Sequence, residues 1–174
     1  MMRMAPSPAR TGVWVGIAAI MMSFAAYTSA LLVRHDAAPD WQHFSLPPIL
    51  YFNTMLLLAS SGALVLARRR GVAWVGLTLA LGLLFLAGQV MAWRQLATQG
   101  LYLATNPSSS FFYVLTVLHA VHVVGGIVAL GYLMRRFRSS GGEPPLGALG
   151  AISLYWHFMA VLWLYLLVIL SLRL

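Results

Sequence analysis

The chain has 174 residues, 61% of them hydrophobic and 8% charged, with a mean hydropathy of +0.84 and a formal net charge of +8. Eleven basic and three acidic residues cannot cover a water-soluble globule, whose composition is typically about a quarter charged, and so apolar a sequence is not disordered. The absence of cysteine excludes disulfides, thiolate metal sites, iron–sulfur clusters and a cysteine nucleophile.

Five apolar runs follow one another, which predicts an all-α bundle of five transmembrane helices. The first, residues 11–33, lies between Arg10 and Arg34; 23 residues without a charge reach roughly 35 Å, enough to cross a bilayer. It is much longer than the apolar stretch of a signal peptide, and is read as a retained helix after a short tail over residues 1–10. The second, about 47–67, stops at Arg68, Arg69 and Arg70. Pro47 and Pro48 are placed in its first turn, where a missing N–H costs nothing. The third covers about 72–93 and ends at Arg94. The fourth covers about 111–134 and ends at Arg135, Arg136 and Arg138. The fifth covers about 148–172. No proline interrupts a run, and the connecting segments are too short to fold alone. Trp41 and Phe44, in the first of them, read as interfacial residues.

Every basic residue is arginine, and their clustering at the ends of apolar runs fits membrane topology better than nucleic-acid binding. Arg3, Arg10, Arg68, Arg69, Arg70, Arg135, Arg136 and Arg138 fall on one face; Arg34, Arg94 and Arg173 fall on the other. Eight against three puts the N-terminus inside and the C-terminus outside. The two clusters also suit anionic lipid head groups.

No Asp, Glu, Lys or Arg lies inside a run, and the three acids, Asp36, Asp40 and Glu143, are all in connecting segments. Pumps and ion-coupled transporters normally carry a buried charge on their path, so that class is disfavoured. The polar residues within the runs are Asn53, Gln89, His119, His122, His157 and hydroxyls. His119 and His122, three apart, share a helix face. With His157 they lie near mid-membrane, His119 about 12 Å from the outer end of its run and His157 about 14 Å from the inner end of its own. Two readings stay open. In one, His157 with His119 or His122 ligates a haem b for electron transfer. In the other, the rings lock helix packing. Asn53 and Gln89 read first as interhelical hydrogen bonds. The aromatics around Tyr155, Trp156 and Trp163 read as packing and lipid contact more readily than as a cofactor pocket.

The motifs carry further. Phe111-Phe112, Thr116, His119 and His122-Val123 resemble the "FF-x-x-TG-x-HG-x-HV" signature of subunit III of haem–copper oxidases. Tyr155-Trp156-His157-Phe158 with Trp163 resembles its "WYWHFVDVVWL". Asn53-Thr54 with Leu57-Leu58-Ala59-Ser60-Ser61 resembles its "NT-x-x-LLASS", and Gln89 with Trp93 and Leu96 resembles "Q-x-x-EW-x-x-L". Gly12-Val13-Trp14 with Met22 and Phe24 resembles the opening "GMW…E-x-MFF". The matches keep the family's order and cover nearly the whole chain from Gly12, as in the short five-helix bacterial form. The resemblance implies a non-catalytic subunit of the bacterial plasma (inner) membrane. It would carry no cofactor or metal of its own, with haem and copper in partner subunits. It would pack against catalytic subunit I, beside subunit II, and retain phospholipid. The departures are acids: Ile20, Pro48, Ala92, Gly150 and Ala160 stand where the family pattern has carboxylates, and Val117 and Ala120 replace two glycines. That pattern leaves little basis for proton handling and keeps a second branch in view, the subunit III-like accessory proteins of nitric oxide reductases.

Overall fold

The computed structural model describes residues 8–37, 39–141 and 146–174. They form five helices: α1 (Pro8–Ala37), α2 (Ile49–Arg70), α3 (Val72–Thr98), α4 (Pro107–Ser139) and α5 (Leu146–Arg173). There is no strand among the described residues. All five are long and apolar enough to cross a membrane; the shortest, 22 residues, reaches roughly 33 Å. Arg3 and Glu143 lie outside the described residues.

The helices overrun the apolar stretches because hydropathy marks the depth of the lipid, whereas backbone hydrogen bonding continues into water. Arg68–Arg70 form the last turn of α2, and α4 continues past Arg138. The start of α2 differs from expectation. Pro47 and Pro48 precede the helix, Pro48 taking the capping position with helical φ and ψ. The Leu50 and Tyr51 N–H groups donate to the Pro47 and Pro48 carbonyls, so the proline pair starts the helix from outside. At α4, Pro107 is the first helical residue, where its fixed φ suits a helix and no N–H is needed. Ahead of it Asn106 caps the helix: its side chain accepts from the Ser109 N–H, while the Ser109 hydroxyl accepts from the Asn106 N–H. Between α2 and α3 stands one residue, Gly71, at φ 87°, a conformation that side-chain-bearing residues rarely adopt.

Helix α5 is central. It packs on α1, α2 and α4, while α2 lies along α3 and α3 along α4; α1 meets only α4 and α5. The sequence neighbours α1 and α2 therefore stand apart, and the segment between them spans the intervening helix ends. The Trp41 indole donates to the Arg173 carbonyl at 3.0 Å, and the Phe44 N–H to the Leu174 carbonyl at 2.8 Å. Gln42 accepts from the Asn106 amide and the Ser108 hydroxyl at the start of α4. Trp41 and Phe44 rest against Phe111 and Phe112, so they dock this strap on the bundle as well as standing at its rim.

The core is built from fully buried Leu, Phe and Trp side chains on the facing sides of the helices. The outer surface is apolar too: Met22, Val128 and Leu172 are about 70% exposed. Such a surface suits lipid and not water.

Candidate functional site

Two of the sequence motifs, Asn53–Ser61 and Tyr155–Trp163, meet along the seam between α2 and α5. The Trp163 indole donates to the Thr54 hydroxyl at 3.0 Å. One layer further on, the Trp156 indole donates to the Ser60 hydroxyl at 3.0 Å. Next to it, the Ser61 hydroxyl and His157 Nδ1 are hydrogen-bonded. Thr54 and Ser60 donate their own protons back to the Leu50 and Leu57 carbonyls of α2. Each hydroxyl thus donates within its helix and accepts across the seam, which satisfies both indole and hydroxyl in a medium without water. The same device joins α3 to α4: the Trp93 indole donates to Thr116, which donates to the Phe112 carbonyl. Thr78 on α3 donates to the Ser60 carbonyl of α2 at 3.3 Å, and Tyr155 on α5 to the His122 carbonyl of α4 at 2.8 Å.

Trp156 is the largest element of this seam and is fully buried. Its ring lies over two glycines. A Cβ at Gly82 would stand 2.9 Å from its Cη2, and one at Gly126 would stand 2.8 Å from its Cζ3. Both are closer than packed carbon atoms come. The indole therefore fits because α3 and α4 each leave out a side chain at its level.

The histidines do not converge. His119 is fully buried, its ring against Phe85 and Trp163. His122 is half-buried; its Nδ1 meets the Leu118 carbonyl and its ring faces Phe24 of α1. His157 is half-buried and tied to α2 through Ser61. Although they share one broad side of α4, His119 faces α3 and α5 while His122 faces α1. Among the described residues no group of three or more His, Asp or Glu is placed to hold a metal ion. Asn53 and Gln89 are fully buried, and neither side chain finds a hydrogen-bond partner.

At the arginine-rich end, Arg10, Arg68–Arg70, Arg135, Arg136 and Arg138 are all exposed. Arg70 stacks over Trp74, and Arg136 over Tyr132, to whose hydroxyl it also donates. Between α1, α2 and α5 opens a cleft of about 520 Å³. Arg10 and Arg68 line it, with Leu64, Gly150, Ser153 and His157. No acid is among its described lining residues. Gly150 is one of the positions where the family pattern has Glu, and nothing fills the space beside it. Of the other acid-replacing positions, Ala92 and Ala160 are buried, Ile20 is half-buried, and Pro48 is exposed at the start of α2.

Sequence reasoning passed over the individual roles of Thr54, Ser60, Ser61, Gly82, Gly126 and Arg10. One signal was present: Thr54 and Ser60 are six residues apart and Trp156 and Trp163 seven, close to two helical turns in each case. Near-equal spacing of hydroxyls and indoles on two antiparallel helices is what a paired seam requires.

The family model described as "Cytochrome c oxidase subunit III" matches residues 17–172. A probable cytochrome c oxidase subunit 3 of Mycobacterium leprae is 29% identical, covering 91% of this chain and 85% of its own. The cytochrome c oxidase subunit 3 of a Synechocystis species is 30% identical, over 91% of this chain and 72% of its own. The cytochrome bo(3) ubiquinol oxidase subunit 3 of Pseudomonas aeruginosa is 28% identical, over 88% and 79%. Five membrane-length helices, a seam built from the family's motif residues and a match over most of the length converge, and the chain belongs to the cytochrome c oxidase subunit III family, as a multi-pass, non-catalytic subunit of a respiratory oxidase in the bacterial plasma (inner) membrane.

Proposed function

We propose that this chain packs against the catalytic subunit I of a haem–copper oxidase, beside subunit II, and stabilises that complex during turnover by rigid helix packing and by retaining phospholipid. In this reading haem and copper sit in the partners. Asn53, Gln89, Thr116, His119, His122, Tyr155, Trp156, His157 and Trp163 serve assembly of the bundle and not chemistry. The observation that carries it is the set of polar ties between helices: the motif side chains Thr54, Ser60, Trp93, Thr116, Trp156 and Trp163 are spent on joining helices. The arginine-rich end is the cytoplasmic one, by the arginine excess there.

Lipid retention is supported by the cleft at that end. Arg10 and Arg68 come from two helices that do not touch each other, and they bring two positive charges to an opening also lined by Leu64, Val65, Leu149 and Leu154, with no acid among its described lining residues. Arg69, Arg70, Arg135, Arg136 and Arg138 extend the basic rim, each worth about 1 kcal/mol toward an anionic surface. The relatives' names include both cytochrome c and ubiquinol oxidases, so the reading is set at the level of the oxidase class.

Purification through a tag on this chain from its native membrane tests the assembly. The eluate is expected to hold a haem- and copper-containing subunit and anionic phospholipid in native mass spectra. A chain that elutes free of haem and copper defeats the assembly reading. Retention of zwitterionic lipid alone defeats the lipid one.

A further inference from the structure

Asn53, Gln89 and His119 are fully buried, and none of their six side-chain nitrogen and oxygen atoms has a hydrogen-bond partner. They come from three different helices, α2, α3 and α4. They also belong to one layer of the bundle. A Cβ at Gly88 would run into the Asn53 amide, so Asn53 abuts α3 at the residue next to Gln89. The His119 ring packs on Phe85 with ring centroids 5.8 Å apart, one helical turn from Gln89 and on the same face. Trp163 touches both His119 and Phe85 at 5.1 Å and bonds to Thr54, the neighbour of Asn53.

The chemistry of the layer limits what satisfies it. Two primary amides offer four N–H donors and two carbonyl acceptors, and an imidazole with one proton adds one donor and one acceptor. None of these atoms has a hydrogen-bond partner within the layer or outside it. Leaving several such groups bare inside an apolar medium costs a large part of the stability a folded bundle has. The occupant must be small, must donate and accept, and must be uncharged, because the membrane-spanning part of the layer holds no acid or base beyond the imidazole. Water has these properties, and buried water characteristically makes about three hydrogen bonds to groups of this kind.

We propose that Asn53, Gln89 and His119 form a buried hydration site, in which at least one ordered water bridges α2, α3 and α4 inside the bilayer. The site differs from the α2–α5 seam. There each donor meets its acceptor directly, whereas here the three helices are joined through a shared ligand. Gly88 is part of the device, since its bare Cα leaves the volume that the Asn53 amide occupies.

Water-edited solid-state NMR on the full chain in lipid bilayers, with Asn, Gln and His labelled with ¹⁵N, tests this. Magnetisation is expected to pass from water to the side-chain nitrogens of Asn53, Gln89 and His119. In Asn53→Leu, transfer to Gln89 and His119 should fall several-fold. If that variant does not fold, the unsubstituted chain alone decides. Absence of transfer to any of the three overturns the proposal, as does a direct Asn53–Gln89 contact without water transfer.

Discussion

Trp156 sets the tolerance of the bundle at the scale of single residues. Its ring occupies space that Gly82 and Gly126 leave open, and its indole N–H is held by Ser60. A methyl group at either glycine must push the ring or part the helices. Gly126→Ala is therefore expected to destabilise the chain by about 1–3 kcal/mol, the usual cost of overpacking. Trp156→Phe gives up one interhelical hydrogen bond, worth about 0.6–1.7 kcal/mol, but frees volume. The two changes together should cost less than their sum, read as a partial recovery of the melting temperature in detergent. Additive losses would show that the ring and the glycine do not compete for the same space. None of this was legible in the sequence. The sequence marked Trp156 as an aromatic for packing or lipid contact, but the two glycines that admit it stand 74 and 30 residues earlier, on helices whose neighbours hydropathy does not name.

Among the elements, α2 and α5 are joined by three polar ties in one register. Replacing Thr54 by Val keeps the shape but removes both its acceptor and its donor, leaving the Trp163 indole bare in an apolar layer. The expected loss is about 1–3 kcal/mol, since a buried donor without a partner costs more than the bond itself. Thr54→Val with Trp163→Phe removes both ends and should fall well below the single change. A double-mutant cycle on unfolding in mixed micelles checks this, and a coupling near zero would show that the indole is satisfied elsewhere. The five helices themselves were readable, because a bilayer demands long uncharged runs and arginines mark where they stop. Their ends were not. Hydropathy is blind to the last turns that carry Arg68–Arg70, and to the Asn106–Ser109 cap that starts α4 four residues before the apolar run. The packing order was equally hidden, since nothing in the composition says that α1 avoids α2.

For the whole molecule, charge distribution makes two predictions. With eight arginines against three, a reporter fused after Leu174 is expected to report an extracytoplasmic position; a cytoplasmic signal there would invert the orientation. The second concerns carboxylates. A hydrophobic carbodiimide attacks a protonated acid held in lipid, where ionisation costs several kcal/mol. At the positions where the family pattern has acids, this chain has Ile20, Pro48, Ala92, Gly150 and Ala160. Asp36 and Asp40 are exposed at the end opposite the arginine clusters, bonded to His35 and Arg34. Carbodiimide is expected to leave the chain unlabelled, with any inhibition of the complex traced to another subunit. Label on Asp36, Asp40 or Glu143 together with loss of turnover would assign this chain a proton step after all. The family could be read in the motifs because they keep their order from Gly12 to Trp163. The seam that these motifs build became visible only once α2 and α5 were set side by side.

The one-residue link at Gly71 bears on how the chain is made. Two helices of 22 and 27 residues that share a single linking residue have their adjoining ends held together, so α2 and α3 are expected to assemble as one reversing hairpin with Arg68–Arg70 beside its tip. Gly71 stands at φ 87°, where a side chain is strained, so Gly71→Val is expected to slow formation of the hairpin, and unchanged accumulation of the variant in the membrane would show that the turn does not limit it.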